Sequence, residues 1–146
     1  MNPRALAQAL VAERGDEIRA RGVAIWMEVD CAEVTADPDG LAQAVRNLLD
    51  NALKFTRDTP HPAIEIGGRE TGRACVLWVR DNGIGFDMQY HDRIFDIFQR
   101  LHRTEDYPGT GIGLTIVRKA MERMGGRAWA ESAPGAGATF YLEIPK

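Results

Sequence analysis

The hydrophobic residues of the chain recur with the spacing of helices in some segments and with that of strands in others. The helical spacing is clearest in one segment. From Asp39 onward, apolar residues recur at spacings of three and four and so share one face of a helix: Leu41, Ala44, Val45, Leu48, Leu49 and Ala52. An earlier helix is predicted through ALAQALVAERGDEIRA, because Asn2 and Pro3 before it form a typical helix start. Further helices are predicted over residues 88–98 and 113–124.

Short segments rich in β-branched and aromatic residues lie between these helices and predict strands. They are VAIWMEV (23–29), AEVTAD (32–37), TPHPAIEIGGRE (59–70), CVLWVRD (75–81), GRAWAES (126–132) and ATFYLEI (138–144). Helices and strands do not alternate one by one, which argues against a βαβ alternation along the chain. The order predicts an α/β fold, a two-layer sandwich with helices on one face of a mixed sheet.

Composition narrows the functional classes. The 146 residues are 45% hydrophobic and 27% charged, which is typical of one soluble globular domain. The net charge is −3 and no Lys/Arg cluster is interleaved with aromatic residues, so nucleic acid is not an expected partner. No apolar run reaches the length of a membrane span and the N-terminus lacks the features of a signal peptide, so we expect a cytoplasmic protein or a soluble part of a larger one.

The two cysteines, Cys31 and Cys75, form no CxxC pair and have no histidine at the spacing of zinc ligands. We therefore expect no structural metal. Both side chains are predicted to be core thiols in a reducing compartment.

The segment NLLDNALKF (47–55) places polar residues in the middle of the predicted core helix. Around the helix axis, with Leu41 placed at zero, Asn47, Asn51 and Lys54 lie at about 240°, 280° and 220°, beside the apolar face. Phe55 lies at about 320°, at the border between the apolar face and this polar strip. This strip could be solvated, but asparagine is unfavourable inside a helix because its amide competes for backbone hydrogen bonds. The alternative is a polar wall facing a cleft.

Two glycine-containing segments offer candidate chemistry. DNGIG (81–85) follows a predicted strand, so that Asp81 lies at the strand end as a possible buried acceptor. A β-turn explains Asn82 and Gly83 but does not need Gly85, which indicates close approach of a ligand to the backbone. PGTGIGL (108–114) leads into a helix and offers flexible amides at a helix N-terminus, a typical anion site. It is not a Walker A loop.

In chain order, NLLDNALKF, DNGIGF, IFDIFQRLH, GTGIGL and PGAGATF resemble the N, G1, F, G2 and final glycine boxes of the sensor histidine kinase catalytic and ATP-binding domain. The segment IFQRLHRTEDYPGTGIGL is most similar to kinases of the phytochrome type. The resemblance covers essentially the whole chain and implies the Bergerat ATP-binding fold, with residues 99–112 as a mobile lid.

The resemblance also implies an ATP site drawn from all five boxes: Asn47, Asn51, Lys54, Phe55, Asp81, Gly83, Gly85, Arg100, Gly109, Thr110, Gly111, Gly113, Leu114 and Thr139. Asn51 is implied as the Mg²⁺ ligand, and Lys54 and Arg100 as the phosphate contacts that act with it in catalysis. Asp81 would accept a hydrogen bond from the adenine amine, which makes ATP rather than GTP the nucleotide.

The remaining positions take supporting roles by the same resemblance. Asn47 would line the pocket, Phe55 would border the base or ribose, and Thr139 would reach adenine, through water. Gly83 and Gly85 would let adenine pack closely. The lid hinges would be the glycines of the second glycine-rich segment: Gly109, Gly111 and Gly113. Asp50 has no expected role beyond solvation or a local ion pair with Lys54.

The resemblance does not extend to a phosphoacceptor. Histidine kinases need an acceptor histidine in a helical dimerisation segment, and His61, His91 and His102 all lack that context. Residues 1–146 are therefore expected to be a catalytic domain that is monomeric alone and belongs with a larger soluble or membrane-anchored sensor. Its expected partners are a dimerisation domain carrying the acceptor histidine and, downstream, a response regulator.

Three alternatives share the same fold. Gyrase, Hsp90 and MutL hydrolyse ATP with a glutamate at the position of Asn47, so this chain lacks their general base. An anti-sigma-factor serine kinase needs no acceptor histidine of its own, but the IFDIF segment argues against it. A nucleotide-dependent binding module would use its conformation rather than catalysis.

Overall fold

The computed structural model describes residues 1–86, 88 and 113–145. Four helices and five strands lie in these ranges. The helices are α1 (Pro3–Glu13), α2 (Gly15–Arg21), α3 (Pro38–Phe55) and α4 (Gly113–Arg123), and the strands are β1 (Ala24–Asp30), β2 (Ala63–Thr71), β3 (Ala74–Asp81), β4 (Arg127–Ser132) and β5 (Ala138–Pro145). The predicted helix over 88–98 lies outside the described residues, except for Met88.

The five strands form one mixed sheet in the order β1-β2-β3-β5-β4. The β1 and β2 strands run parallel, because α3 carries the chain back between them, and the other neighbours are antiparallel. Apolar side chains of α1, α3 and α4 share one core with the sheet. The predicted two-layer α/β sandwich with helices on one face is confirmed.

The predicted first helix is two helices. Asn2 caps α1 as expected, since its side-chain oxygen accepts hydrogen bonds from two backbone N–H groups of the first turn. The helix ends at Glu13 because Arg14 has φ −102° and ψ 12°, which is not helical, and α2 begins at Gly15. The expectation of one continuous helix was therefore wrong.

The segment AEVTAD does not form the predicted strand. The segment between β1 and α3 pairs with none of the described strands, although Val34 N–H donates to the carbonyl of Met1 over 3.0 Å. Residues with strand-forming side chains need a neighbouring strand to pair with, and the described part of the chain provides none here. The following helix starts as predicted, with the Asp37 side chain accepting from the N–H of Gly40.

The core contains every apolar residue predicted for the face of α3, together with Leu53. The opposite face of the sheet, on which none of the four described helices packs, carries all three tryptophans of the chain, and Trp26 on the edge strand β1 is 69% exposed. On this face Trp129 stacks on Tyr141, with ring centroids 5.1 Å apart. Aromatic cross-strand pairs of this kind stabilise the sheet.

Cys31 and Cys75 are joined by a disulfide, with Cα atoms 6.4 Å apart. Cys31 follows β1 directly and Cys75 lies in β3, so the bond connects the edge of the sheet to its centre. Both residues are buried, as predicted. The expectation of free thiols was wrong, because sequence separation does not show that the two sulfur atoms meet.

Candidate functional site

The polar residues of α3 lie where the helical period predicts. Asn47, Asn51 and Lys54 are half-buried beside the fully covered apolar face. The Asn47 amide nitrogen donates to the carbonyl of Gln43 over 2.9 Å, so its side-chain oxygen is the atom that can meet a donor or a cation. In the part of the chain that the structure describes, no hydrogen bond engages the Asn51 amide. The strip therefore presents amide oxygens along one flank of the helix.

The end of α3 holds Lys54 and Phe55 together. The Lys54 Nζ lies 5.2 Å from the centroid of the Phe55 ring, a cation–π distance. Arg21 of α2 donates to the carbonyl of Leu53 over 2.7 Å, and the buried Thr56 hydroxyl donates to the carbonyl of Ala52 over 2.7 Å. The bond from Arg21 satisfies a carbonyl that the helix end leaves without a backbone donor, whereas the carbonyl of Ala52 also accepts from the backbone N–H of Thr56. Neither Arg21 nor Thr56 was predicted as part of the site.

Asp81 is the last residue of β3 and is only 4% exposed. Its Oδ1 accepts a hydrogen bond from the N–H of Gly83 over 2.8 Å. Burial raises the pKa of this carboxyl to about 6, although hydrogen bonds from the N–H groups of Gly83 and Ala138 lower it in part. Among the described residues it is the only buried charged side chain. A buried carboxyl with a strongly shifted pKa is a typical binding-site group.

The loop after Asp81 is attached to the end of α3. Ile84 N–H donates to the carbonyl of Phe55 over 3.2 Å. A Cβ on Gly83 would lie 2.2 Å from that same carbonyl oxygen, so no larger residue fits. Gly85 has φ +65°, and a Cβ there would lie 2.2 Å from the carbonyl oxygen of Ala133. Both glycines are thus required by the protein's own backbone, whereas the predicted close approach of adenine stays a prediction.

The hairpin between β4 and β5 supports the same loop from the other side. The Ser132 hydroxyl accepts from the N–H of Phe86 over 2.9 Å and donates to the carbonyl of Gly137 over 2.6 Å. Gly135 N–H donates to the carbonyl of Ile84 over 2.7 Å. Sequence reasoning missed Ser132. Its position as the only serine of the chain, at the start of a glycine-rich turn, was the available signal.

The register of the sheet fixes the position of Thr139. In the sheet it is opposite Arg80, and its hydroxyl accepts from the Arg80 Nε over 3.2 Å. Successive residues of a strand point to opposite faces, so Thr139 lies with Arg80 on the face that carries the tryptophans and Ala138 lies on the side of Asp81. This arrangement argues against a Thr139 contact with the base.

Four predicted site residues lie outside the described residues: Arg100, Gly109, Thr110 and Gly111. Gly113 is the first residue of α4. Leu114 is half-buried and packs against the core. The structure therefore brings together the predicted residues of α3 and of the loop after β3, and it does not test the lid.

The donor set fits a magnesium ion bound largely through its ligand. No group of three or more His, Cys, Asp or Glu side chains in the described ranges is placed to hold a metal. Mg²⁺ commonly binds through one or two protein oxygens together with phosphate oxygens and water, so a single amide such as that of Asn51 is sufficient.

None of the helices in the described ranges has the length and apolar character of a membrane span.

Residues 36–146 match the family described as histidine kinase-, DNA gyrase B- and HSP90-like ATPases. The chain belongs to this family. It is 38% identical over 135 residues to the methanogenesis regulatory histidine kinase FilI of Methanothrix harundinacea, a match that covers 92% of this chain and 15% of FilI. It is 50% identical over 112 residues to cyanobacterial phytochrome A of Nostoc sp., covering 77% of this chain and 14% of the relative. The chain thus spans about one seventh of these relatives.

Solved structures of family members have the same fold. The catalytic domain of histidine kinase ThkA superposes with a TM-score of 0.86 at 27% identity, covering 99% of this chain and 95% of that one. Full-length ShkA in complex with AMPPNP gives a TM-score of 0.86 at 26% identity, covering 99% of this chain and 30% of that one. The predicted membership in the histidine kinase family, with similarity to phytochrome-type kinases, is confirmed.

Proposed function

We propose that this chain binds Mg-ATP and supplies its γ-phosphoryl group to a histidine on a separate dimerisation domain. The observation that carries the proposal is the buried Asp81 carboxyl at the end of β3, next to a loop that hydrogen-bonds to the end of α3. A buried acceptor needs a donor, and the exocyclic amine of adenine is one. Guanine has a carbonyl at that position, so ATP is the expected nucleotide.

The flank of α3 would hold the phosphates. Lys54 would contact them as a compact positive charge, and Asn47 would line the pocket with its free amide oxygen. Asn51 would hold Mg²⁺, which supplies positive charge to the phosphate oxygens when it is bound. Phe55, beside Lys54 at the helix end, would border the base or ribose.

Phosphoryl transfer fits this chain better than ATP hydrolysis. Asn47 stands where the related hydrolases are expected to carry a glutamate, and an amide cannot take a proton from water. The bound nucleotide would then persist until an acceptor side chain reaches it. The named relatives FilI and ThkA are histidine kinases, which favours a histidine acceptor over the serine acceptor of an anti-sigma-factor kinase.

The remaining partners and residues belong to the same proposal. Arg100 would offset charge on the transferring phosphoryl group, and the glycine-rich segment that contains Gly109, Thr110 and Gly111 would close over the nucleotide. The acceptor domain would lie in the same or a partner protein, with a response regulator downstream. We expect the isolated domain to be monomeric and to bind nucleotide without transferring phosphate to itself.

Calorimetric titration with Mg-ATP tests the binding step. Asp81→Asn is expected to cost about 1–3 kcal/mol of binding free energy, because it replaces an acceptor for a buried donor. Asn51→Ala is expected to abolish the magnesium dependence of binding. Gln43→Ala, an exposed position on the same helix, is the control and should bind normally. A wild-type domain that does not bind Mg-ATP would overturn the proposal.

Labelled ATP tests the transfer step. The domain is mixed with a separate dimerisation domain that carries an acceptor histidine, and phosphohistidine is measured. Binding without transfer to any such acceptor domain would favour the nucleotide-dependent binding module instead. Transfer with normal magnesium dependence in Asn51→Ala would show that the metal role is assigned to the wrong residue.

A further inference from the structure

Asp50, directly before Asn51, is bound by an arginine from another helix. Arg14, at the junction of α1 and α2, donates from Nε to Asp50 Oδ1 over 2.7 Å and from Nη2 to Oδ2 over 3.1 Å. Both carboxylate oxygens are engaged, and the pair is partly buried. The expectation that Asp50 is merely solvated or pairs with Lys54 is replaced by this contact. Two-point pairs of this kind are among the strongest side-chain hydrogen bonds.

The position of Asp50 makes its partner important for the site. Lys54 follows Asp50 by four residues, and side chains at this spacing are neighbours on a helix surface. An acidic residue four positions before a lysine is the favourable orientation for an ion pair. An Asp50 carboxylate without Arg14 could therefore bind the Lys54 ammonium, which the proposed function needs at the phosphates.

We propose that Arg14 is a positioning residue that acts through Asp50. By holding both carboxylate oxygens on the α1 side of α3, Arg14 keeps Asp50 from drawing the Lys54 ammonium toward the start of the helix. Lys54 instead lies at the end of the helix, with its Nζ 5.2 Å from the Phe55 ring. This inference rests on the proposed nucleotide function and adds to it a residue outside every motif of the resemblance.

The chain contains a matched control in the neighbouring ion pair between the same helices. Arg46 of α3 donates from Nε and Nη2 to the two carboxylate oxygens of Glu13 over 3.1 and 3.2 Å. Removing Arg46 takes one positive charge from the same interface, as removing Arg14 does, but leaves Asp50 bound. A change in nucleotide binding that occurs only without Arg14 is therefore due to the release of Asp50. A change that occurs equally without Arg46 is due to net charge or to helix docking.

The experiment measures the Kd for Mg-ATP at low salt in Arg14→Gln, Arg46→Gln and the double variant Arg14→Gln/Asp50→Asn. Arg14→Gln is expected to raise the Kd about two- to threefold, the size of one helical ion pair that must be broken. Arg46→Gln should leave the Kd close to that of the wild type. The double variant should return to the wild-type Kd, because no carboxylate remains to compete for Lys54.

A second measurement reports the released contact without nucleotide. In Arg14→Gln, nuclear magnetic resonance is expected to show new through-space contacts between the side-chain methylene protons of Asp50 and Lys54. A merely structural role of Arg14 would not produce them. If Arg14→Gln does not fold, Arg14→Lys keeps the charge without the two-point geometry and should show the same contacts and a smaller rise in Kd.

The outcomes separate this inference from the proposed function. Wild-type binding of Mg-ATP with an unchanged Kd in Arg14→Gln, or with equal changes in Arg14→Gln and Arg46→Gln, would overturn the inference alone. Failure of the double variant to recover would do the same, since Arg14 would then act by a route other than Asp50. A wild-type domain that does not bind Mg-ATP would overturn the proposed function, and the inference with it.

Discussion

We expect the free energy of unfolding of this domain to fall as the pH rises, through the titration of Asp81. In the unfolded chain this carboxyl has an ordinary pKa of 3.8, whereas burial raises the pKa to about 6 in the folded domain. Between these values the folded state binds the proton more tightly, so a rise in pH favours the unfolded state. A difference of one unit between the folded and unfolded pKa corresponds to about 1.4 kcal/mol. The free energy of unfolding therefore falls by about 3 kcal/mol in total once the pH is above the folded pKa.

Urea unfolding of the wild type and of Asp81→Asn, from about pH 4 to about pH 8, tests this reasoning. Other groups titrate in the same range, so the quantity of interest is the difference in unfolding free energy between the two proteins. Between these two pH values this difference should shift by about 2.4 kcal/mol in favour of the variant, since the rest of the change occurs at lower pH. Gln43→Ala, at an exposed position without an ionisable side chain, is the control and should give a constant difference. A constant difference for Asp81→Asn would refute the raised pKa.

Gly83→Ala is expected to destabilise the domain by roughly 1–3 kcal/mol, because the new methyl group would meet a backbone carbonyl oxygen. Thermal unfolding measures this against Gly15→Ala, whose methyl group meets only a flexible arginine, and equal effects would contradict the packing argument. Ser132→Ala should cost about 1–3 kcal/mol and speed amide exchange at Phe86, whose N–H loses its acceptor; unchanged exchange would argue against this bond. Reduction of the disulfide should lower the unfolding free energy by up to about 4 kcal/mol, given the separation of 44 residues. A variant with both cysteines changed to alanine should not respond to reductant, and an equally insensitive wild type would contradict the stabilising role.

Helices and strands that form because of the residues within their own segment could be predicted from local patterns. The period of α3 identified its buried face residue by residue, because each apolar side chain on that face packs into the same core. Five of the six predicted strands exist, since they are rich in β-branched and aromatic residues, which suit a pleated sheet. The sixth, AEVTAD, has suitable residues but pairs with none of the described strands, and pairing is not visible in a single segment.

Contacts between distant segments could not be predicted in this way. The bond between Arg14 and Asp50 joins residues 36 positions apart, and that between Arg21 and the carbonyl of Leu53 joins residues 32 positions apart. No local pattern in the sequence distinguishes Arg14 and Arg21 from the other charged residues around them. The partners of these side chains depend on how the helices pack, which no single segment shows. The break between α1 and α2 at Arg14 was missed as well.

For the glycines of the DNGIG loop, the structure gives a different reason for the missing side chain from the one that the sequence indicated. The sequence marked Gly85 as unusual, and the resemblance assigned both Gly83 and Gly85 to close packing of adenine. In the structure their missing side chains make room for the carbonyl oxygens of Phe55 and Ala133, which belong to the end of α3 and to the β4–β5 hairpin. The loop that carries Asp81 is therefore held between two distant segments. A substitution in the β4–β5 hairpin around Ala133 is therefore expected to move Asp81 and weaken nucleotide binding, although this turn is not proposed to contact the nucleotide.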